Sequence, residues 1–272
     1  MSEETGNSKI GLISGEGEFP LILAKELKNL NYQVVALTFS KKQAKNLQKI
    51  VDKVHQIYIG QLEKLIKIFK EEGIIDLIFL GKIEKSLAIR FNLPDRRALA
   101  LWQKLSNRED NTLLKALIEE LETEGFTVRG PAEFLKKFLA KEKVYTLRSP
   151  TPKEWEDIYY GFKIAKAIGE LDIGQCVVVK DKMTIAVEAM EGTDATILRG
   201  GKLRTQAIVV KIAKPQQDLR LDLPVAGFRT VETLVKAKAK VLALEAGKTF
   251  FLQQEKALEL ANQYQISIVG VK

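Results

Sequence analysis

Residues 9–27 read KIGLISGEGEFPLILAKEL, an apolar strand followed by a glycine turn and then by an amphipathic helix. This order predicts the β–α opening of an α/β domain. Gly15 and Gly17 would let backbone amides approach a ligand closely, and the start of the following helix would offer free N–H groups to phosphate. The turn therefore predicts contact with a phosphate or a nucleotide sugar, and a plain tight turn is the alternative.

The same stretch departs from the pattern of dinucleotide-binding proteins. The third glycine of the Rossmann spacing would fall at residue 20, where Pro20 stands. The second predicted strand, Gln33 to Phe39, does not end in an acidic residue. A nicotinamide-dependent oxidoreductase therefore remains an alternative that both features disfavour.

Strands and helices continue to alternate through the rest of a predicted first domain, residues 1–140. Its further elements are predicted as strands over 54–59, 74–80 and 126–128 and helices over 61–72, 93–124 and 132–140. The strand at 74–80 runs into Gly81-Lys82, which would place Lys82 at the crevice where parallel sheets bind ligands. A solvated lysine after a turn is the alternative.

Residues 141–152 are predicted to link this domain to a second one, because Pro150 and Pro152 are incompatible with a helix interior. Residues 153–272 predict a second α/β domain, with strands over 176–180, 183–188, 206–212, 241–245 and 267–271 and helices over 153–168, 230–239 and 254–263. The turn between the first two of these strands is too short for a crossover, so the second sheet is predicted to be mixed. Cys176 is expected to be buried and inert.

Composition limits the classes of ligand. Lys and Arg exceed Asp and Glu by 43 to 35, a net charge of +8, which favours an anionic partner such as a phosphorylated metabolite, a membrane surface or nucleic acid. Cys176 is the only cysteine and His55 the only histidine, so any metal is expected to be held by oxygen. No stretch approaches a membrane span and the first residues do not resemble a secretory signal, which predicts a cytoplasmic protein.

Two acidic clusters follow predicted strands of the second domain. One is Glu191-Gly192-Thr193-Asp194, and the other spans Asp218 to Asp222. Lys211, Lys214, Arg199 and Arg220 are interleaved with them, and this mixture suits a hard divalent cation and a phosphorylated ligand. Asp, Gly and Pro are also ordinary turn and cap residues, so a purely structural role is the alternative.

Asp218 and Asp222 are expected to aim into one site. Pro215 and Pro224 bracket them and favour an irregular or extended segment, in which residues four apart share a face as they would in a helix. Asp222 also stands two residues before a proline, where the backbone range is narrow, and this suits a group that needs a fixed aim.

Three motifs in this order resemble those of the UDP-2,3-diacylglucosamine pyrophosphatases of the LpxI type, which act in lipid A synthesis. The motifs are Asp172-Ile173-Gly174-Gln175, Glu188-Ala189-Met190-Glu191-Gly192-Thr193-Asp194, and Lys214-Pro215-Gln216-Gln217-Asp218 running into Asp222-Leu223-Pro224. The similarity extends from Ile10 to Val271. It implies a Rossmann-like N-terminal domain with a parallel sheet and a C-terminal mixed α/β domain, with the active site in the interdomain cleft.

The resemblance also implies the reaction and its residues. The expected activity is hydrolysis of the pyrophosphate bond of UDP-2,3-diacylglucosamine to UMP and 2,3-diacylglucosamine 1-phosphate, with Mg²⁺. Asp222 is assigned to catalysis with Asp218 in support, and the implied metal ligands are Asp222, Glu191 and Asp194. The implied substrate-binding residues are Gly15, Gly17, Gly81, Lys82, Gln175, Gly192, Thr193, Lys211 and Arg220.

The partners follow from that substrate. A diacylated nucleotide sugar lies in a bilayer, so transient contact with the cytoplasmic face of the inner membrane is expected, and a homo-oligomer is compatible with the sequence. A non-catalytic module that binds anions or nucleic acid is a further alternative on the strength of the net charge. Nucleic acid is not expected, because no basic stripe carries interleaved aromatic residues.

Overall fold

The structure is a computed structural model that describes residues 8–81, 94–104, 110–215, 220 and 223–272. It divides into two compact units: the first extends to Lys136, the second begins at Lys137, and Arg220 groups with the first. The predicted α/β class with two domains is confirmed. In the described ranges no helix is both long and apolar enough to span a bilayer.

The first unit is built on a parallel sheet with the strand order β3-β2-β1-β4-β5. Its strands are β1 Lys9–Ser14, β2 Gln33–Thr38, β3 Lys53–Gln56, β4 Asp76–Leu80 and β5 Thr127–Val128. The strand order reverses direction at the β1–β4 pair, the switch point where open parallel sheets bind ligands beyond their carboxyl ends. Strand β1 is buried after its first residue, which matches its apolar sequence.

Helices pack on this sheet, and together they form a core that includes Phe69, Leu77 and Leu121. They are α1 Phe19–Asn29, α2 Lys41–Leu47, α3 Leu62–Glu71, α4 Arg96–Lys104 and α5 Asp110–Thr123. Helix α2 was not predicted, because its run of polar residues carries little periodicity; the Ser40 side chain caps it by accepting from the Gln43 N–H at 3.3 Å.

The helix predicted over 132–140 is wrong. The structure has two short 3₁₀ turns instead, at Pro131–Glu133 and Lys136–Phe138. The Glu133 carboxylate accepts from the Gly130 N–H at 3.2 Å and from the Arg129 guanidinium. These local bonds stabilise a single tight turn and compete with a continuous helix.

The second unit has a six-stranded sheet in the order β6-β13-β11-β9-β7-β8, with β10 and β12 pairing separately. Its strands are β6 Lys143–Val144, β7 Cys176–Lys180, β8 Met183–Val187, β9 Ile208–Lys211, β10 Val225–Ala226, β11 Val241–Glu245, β12 Phe250–Phe251 and β13 Ser267–Val271. Strands β9, β11 and β13 are parallel, whereas β7 is antiparallel to both β8 and β9. The predicted mixed sheet is confirmed, and β6 lies inside the predicted linker 141–152.

The turn between β7 and β8 consists of Asp181 and Lys182, both with positive φ. This is the backbone expected of a two-residue hairpin. The buried carboxylate of Asp157 accepts both of their N–H groups, at 3.0 and 2.7 Å. The hairpin therefore rests on a side chain of the neighbouring helix.

Helices of the second unit are α6 Pro152–Glu170, α7 Thr193–Leu203, α8 Phe228–Lys236 and α9 Gln254–Gln263. Helix α6 begins with a capping box in which Thr151 and Glu154 bond each other's backbone N–H groups. Helix α7 was not predicted; it begins at Thr193, so Glu191 and Gly192 of the first acidic cluster precede it. A Cβ on Gly200 would lie 2.8 Å from Val178, so this glycine lets α7 pack closely on β7.

Candidate active site

One edge of the second sheet collects polar side chains. The carboxyl ends of β8, β9 and β11 and the amino end of β7 meet there, as the register of β7 with β8 and β9 requires. Glu188 follows β8, Lys211 ends β9, Glu245 ends β11, and Gln175 precedes β7. We call this the carboxyl edge of the second unit. It is where α/β sheets commonly place functional groups.

A buried lysine and a buried glutamate at this edge are connected by one hydroxyl. Lys211 is 6% exposed, and its Nζ donates to Thr193 Oγ1 at 2.9 Å. Thr193 Oγ1 in turn donates to Glu188 Oε1 at 3.0 Å. A buried ammonium is tolerated only when it is compensated, and Glu188, itself buried, supplies the opposite charge through Thr193.

Gln175 belongs to the same group of residues. Its backbone N–H donates to Glu188 Oε2 at 3.4 Å, and its carbonyl accepts from the Ile212 N–H at 2.9 Å. Its side-chain Oε1 is buried without a hydrogen-bond partner in the structure. Buried acceptors are normally satisfied, so this oxygen is a candidate acceptor for a ligand donor.

Helix α7 begins at this edge. Gly192 is its N-cap residue, with φ of 82°, a value that favours glycine. The first intrahelical bond runs from the Thr196 N–H to the Gly192 carbonyl at 3.1 Å, so the N–H groups of 193–195 precede the helical ladder. Such a start carries partial positive charge beside the Lys211 ammonium, and together they suit an anion.

The two described residues expected to bind metal have protein partners. Glu191 Oε1 accepts from Arg199 Nη2 at 2.6 Å, and this hydrogen bond lowers the pKa of Glu191. Asp194 Oδ1 accepts from Thr233 Oγ1 at 3.4 Å. Within the described ranges no group of three or more His, Cys, Asp or Glu side chains gathers as a metal site. Glu191, paired with the Arg199 guanidinium, does not fit a Mg²⁺ site as placed, whereas the single bond to Asp194 does not test its expected role.

Cys176 is buried, as predicted, and charged groups of the edge influence its thiol. Burial raises the pKa of its thiol; Lys211 acts in the opposite direction, while Glu188 and Asp194 raise the pKa further. A protonated, fully buried thiol is a poor nucleophile. The same effects show that Lys211, Glu188 and Asp194 all lie within electrostatic reach of the start of β7.

Sequence reasoning missed Glu245, the most extensively bonded carboxylate of the edge. It is 5% exposed and accepts from Lys166 Nζ at 2.6 Å, from Lys248 Nζ at 3.0 Å and from the Ala213 N–H at 2.9 Å. Burial alone would raise its pKa, but the bonds from Lys166 and Ala213 outweigh burial and lower the pKa. A glutamate ending the apolar run VLALE was the available signal.

The glycine turn of the first unit is arranged differently. The Gly15 N–H donates to the Leu80 carbonyl at 2.9 Å, so it is not available to a ligand. The Gln43 amide donates to the Gly17 carbonyl and to Ser14 Oγ, both at 3.2 Å. Gly81 has φ of 107°, and a Cβ there would lie 2.8 Å from the Gly15 carbonyl carbon, so it is required for packing.

Four sequence-predicted site residues are not observed at the carboxyl edge. Lys82, Asp218 and Asp222 lie outside them, so their roles stay predictions from sequence. Arg220 groups with the first unit, where its Nη1 donates to Glu122 Oε1 at 3.3 Å.

Comparison with known proteins identifies relatives along most of the chain. The LpxI N-terminal domain model matches residues 9–138, and the LpxI C-terminal domain model matches residues 141–269. A curated protein of Caulobacter vibrioides, UDP-2,3-diacylglucosamine pyrophosphatase LpxI, is 28% identical over 275 residues, covering 97% of each chain.

Two of the solved structures that match are only distantly similar. A biotin carboxylase domain of the 2-oxoglutarate carboxylase of Hydrogenobacter thermophilus is 15% identical, with 64% of this chain and 35% of that chain covered and a TM-score of 0.26. The biotin carboxylase subunit of a pyruvate carboxylase gives the same identity and coverages with a TM-score of 0.28. The two domain models, which together match nearly all of the sequence, show that the chain belongs to the LpxI family.

Proposed function

We propose that the protein hydrolyses the pyrophosphate bond of UDP-2,3-diacylglucosamine to UMP and 2,3-diacylglucosamine 1-phosphate in lipid A synthesis. Family membership and the relative that carries this activity in its name support the proposal. The structural observation that carries it is the buried Lys211 ammonium, held by Thr193 at the start of α7. That arrangement suits a phosphorylated substrate.

The anion-binding role follows from charge and geometry. A pyrophosphate gains negative charge on its leaving phosphate as the bond breaks. Lys211 and the N–H groups of 193–195 would stabilise that charge, and they act strongly because the lysine is buried. Thr193 orients the ammonium by accepting a hydrogen bond from it, and Glu188 orients Thr193 by accepting a hydrogen bond from its hydroxyl. These residues therefore bind and orient the substrate.

Activation of water is assigned to Asp222, with Asp218 in support, on the sequence motif that precedes Pro224. A positioned carboxylate can accept the proton of the attacking water while the pyrophosphate bond breaks. Both aspartates lie outside the described residues, so this assignment rests on sequence.

Dependence on Mg²⁺ is a separate part of the proposal. Mg²⁺ would supply neutralising charge to the phosphates when bound. Glu191 does not fit such a site as placed, and no step is assigned to it or to Asp194. Chelation with EDTA tests the dependence: activity should fall and return when Mg²⁺ is added in excess, and full activity after chelation would contradict it.

Contact with the membrane is proposed from the substrate alone, because a diacylated nucleotide sugar resides in a bilayer. Flotation with vesicles that contain the substrate would test it. Protein that stays at the bottom of the gradient with such vesicles would contradict transient membrane contact.

The direct test of the function is incubation of the purified chain with UDP-2,3-diacylglucosamine and Mg²⁺, followed by chromatography of the nucleotides. UMP should form in amounts equal to the diacylglucosamine 1-phosphate. UDP-glucose serves as the control substrate without acyl chains. Absence of UMP from the diacylated substrate, with folded protein, would overturn the proposal.

A further inference from the structure

The loop between β8 and α7 contains two glutamates, Glu188 and Glu191, and the sequence predicted that Glu191 binds metal. We propose that Glu191 is a positioning residue, which acts through Arg199 to fix this loop, and that it does not bind Mg²⁺. The role of this loop in substrate binding rests on the proposed function. The contacts that fix the loop do not depend on it.

Arg199 joins the two ends of the loop. Its Nη2 donates to the Val187 carbonyl at 2.8 Å and to Glu191 Oε1 at 2.6 Å. Val187 is the last residue of β8, and Arg199 lies on α7. One guanidinium on the helix therefore holds both the end of the strand and the glutamate that immediately precedes Gly192.

The Glu191 carboxylate, which is partly exposed, also accepts from two further protein groups. Oε2 accepts from the Ala189 N–H at 3.1 Å, and Oε1 accepts from Thr196 Oγ1 at 3.2 Å. The bonded cation is the Arg199 guanidinium. A Mg²⁺ ion at this carboxylate would compete with these donors and lie beside the Arg199 positive charge, which repels it.

Fixing this loop sets the position of Thr193. Gly192 and Thr193 follow Glu191 directly, and Thr193 is the residue that accepts from Lys211. A shift of the loop would move the start of α7 and loosen the Lys211 ammonium. Glu191 therefore influences the anion-binding groups without touching them, as a neighbour along the chain.

Substitution should separate the two roles. Glu191→Gln keeps the shape of the side chain and removes its charge. The KM for the nucleotide sugar should rise by about tenfold, since a misplaced binding group loses affinity of this order, while kcat should change by less than about threefold. The Mg²⁺ concentration for half-maximal activity should stay unchanged. If Glu191 were a metal ligand, the Mg²⁺ concentration for half-maximal activity should rise instead.

Arg199→Met provides the partner variant. If Glu191 acts through Arg199, the double variant should raise KM no more than the larger single change, because both remove the same link. Additive effects would contradict the proposal. Arg199→Lys, which keeps the charge, should recover part of the affinity. Glu156→Gln is the matched control: Glu156 pairs with Lys182 on an exposed surface at 2.7 Å, and the variant should behave as wild type.

A readout without turnover keeps the test independent of the reaction. Mn²⁺ binding, followed by electron paramagnetic resonance of the substrate-free protein, should be the same for wild type and Glu191→Gln. Coupling between Glu191→Gln and Arg199→Met in the free energy of unfolding should be measurable, whereas Glu156→Gln and Arg199→Met should be additive. Mn²⁺ affinity that falls tenfold or more in Glu191→Gln would overturn the proposal even if no hydrolysis were detected.

Discussion

Both units contain a glycine turn between a strand and a helix, and the two turns use their polar groups differently. In the first unit, the Gly15 N–H donates to the Leu80 carbonyl and the Gly17 carbonyl accepts from the Gln43 amide. Both groups are therefore satisfied by residues of the first unit. In the second unit, Gly192 leads into α7 beside the buried Lys211. A glycine turn alone therefore does not mark an anion site, and our proposal rests on the buried Lys211 beside the second turn.

The largest expected effect tests whether chemistry belongs to the motif that follows β9 and not to the glycine turn of the first unit. Asp222→Ala should lower kcat by about 10²-fold or more, as expected for loss of a positioned base. Substrate should still bind, which calorimetry would show. Asp222 lies outside the described residues, so the prediction rests on sequence. Near wild-type turnover by a folded Asp222→Ala protein would remove the assignment and make Asp218 the next candidate.

A smaller effect is expected from the hydroxyl that links the buried charges of the second unit. Thr193→Val removes the acceptor of Lys211 and the donor to Glu188 while keeping the shape of the side chain. KM should rise by about tenfold, because both bonds involve a charged partner.

Thr193→Ser is the matched control, since it keeps the hydroxyl and should stay within about threefold of wild type. Equal KM values for the valine, serine and unaltered proteins would show that the turn at Gly192 is only structural.

The smallest expected effect concerns stability and its dependence on pH. Glu245→Gln should lower the free energy of unfolding at pH 7 by about 1–2 kcal/mol, because the charged bonds from Lys166 and Lys248 become weaker. The pKa of Glu245 is lowered by its partners, so its contribution is present at neutral pH and is lost as the pH falls through the folded-state value.

Urea unfolding between pH 7 and pH 3 would measure this contribution. The difference between wild type and Glu245→Gln should shrink once the pH falls below the ordinary glutamate value of about 4.3. A difference that stays constant over this range would contradict an ionic role for Glu245.

The sequence predicted most of the regular structure because apolar periodicity determines which face of an element is buried. It predicted the opening at residues 9–27, the hairpin after β7 and the helix that begins at Pro152. It did not predict α7, a helix that contains the consecutive glycines Gly200 and Gly201 and packs Gly200 against Val178.

The candidate site was less predictable, because its bonds join residues that are distant along the chain. Lys211, Thr193 and Gln175 could be proposed by resemblance, but their connection through Glu188 depends on the strand order of the second sheet. Glu245 was missed for the same reason, since its partners Lys166 and Ala213 come from α6 and from the segment that follows β9. The partners of Glu191 likewise could not be predicted from spacing.

The most direct test of the central claim, that the second turn and its buried cation hold the phosphates, compares two variants in one KM measurement. Lys211→Met removes the buried ammonium, and Gln43→Met removes the amide that bonds to the Gly17 carbonyl in the first turn. With UDP-2,3-diacylglucosamine as substrate, KM should rise by about 30-fold in Lys211→Met and by no more than about fivefold in Gln43→Met, because charged hydrogen bonds contribute more than neutral ones. A KM that rises as much or more in Gln43→Met than in Lys211→Met would contradict the account.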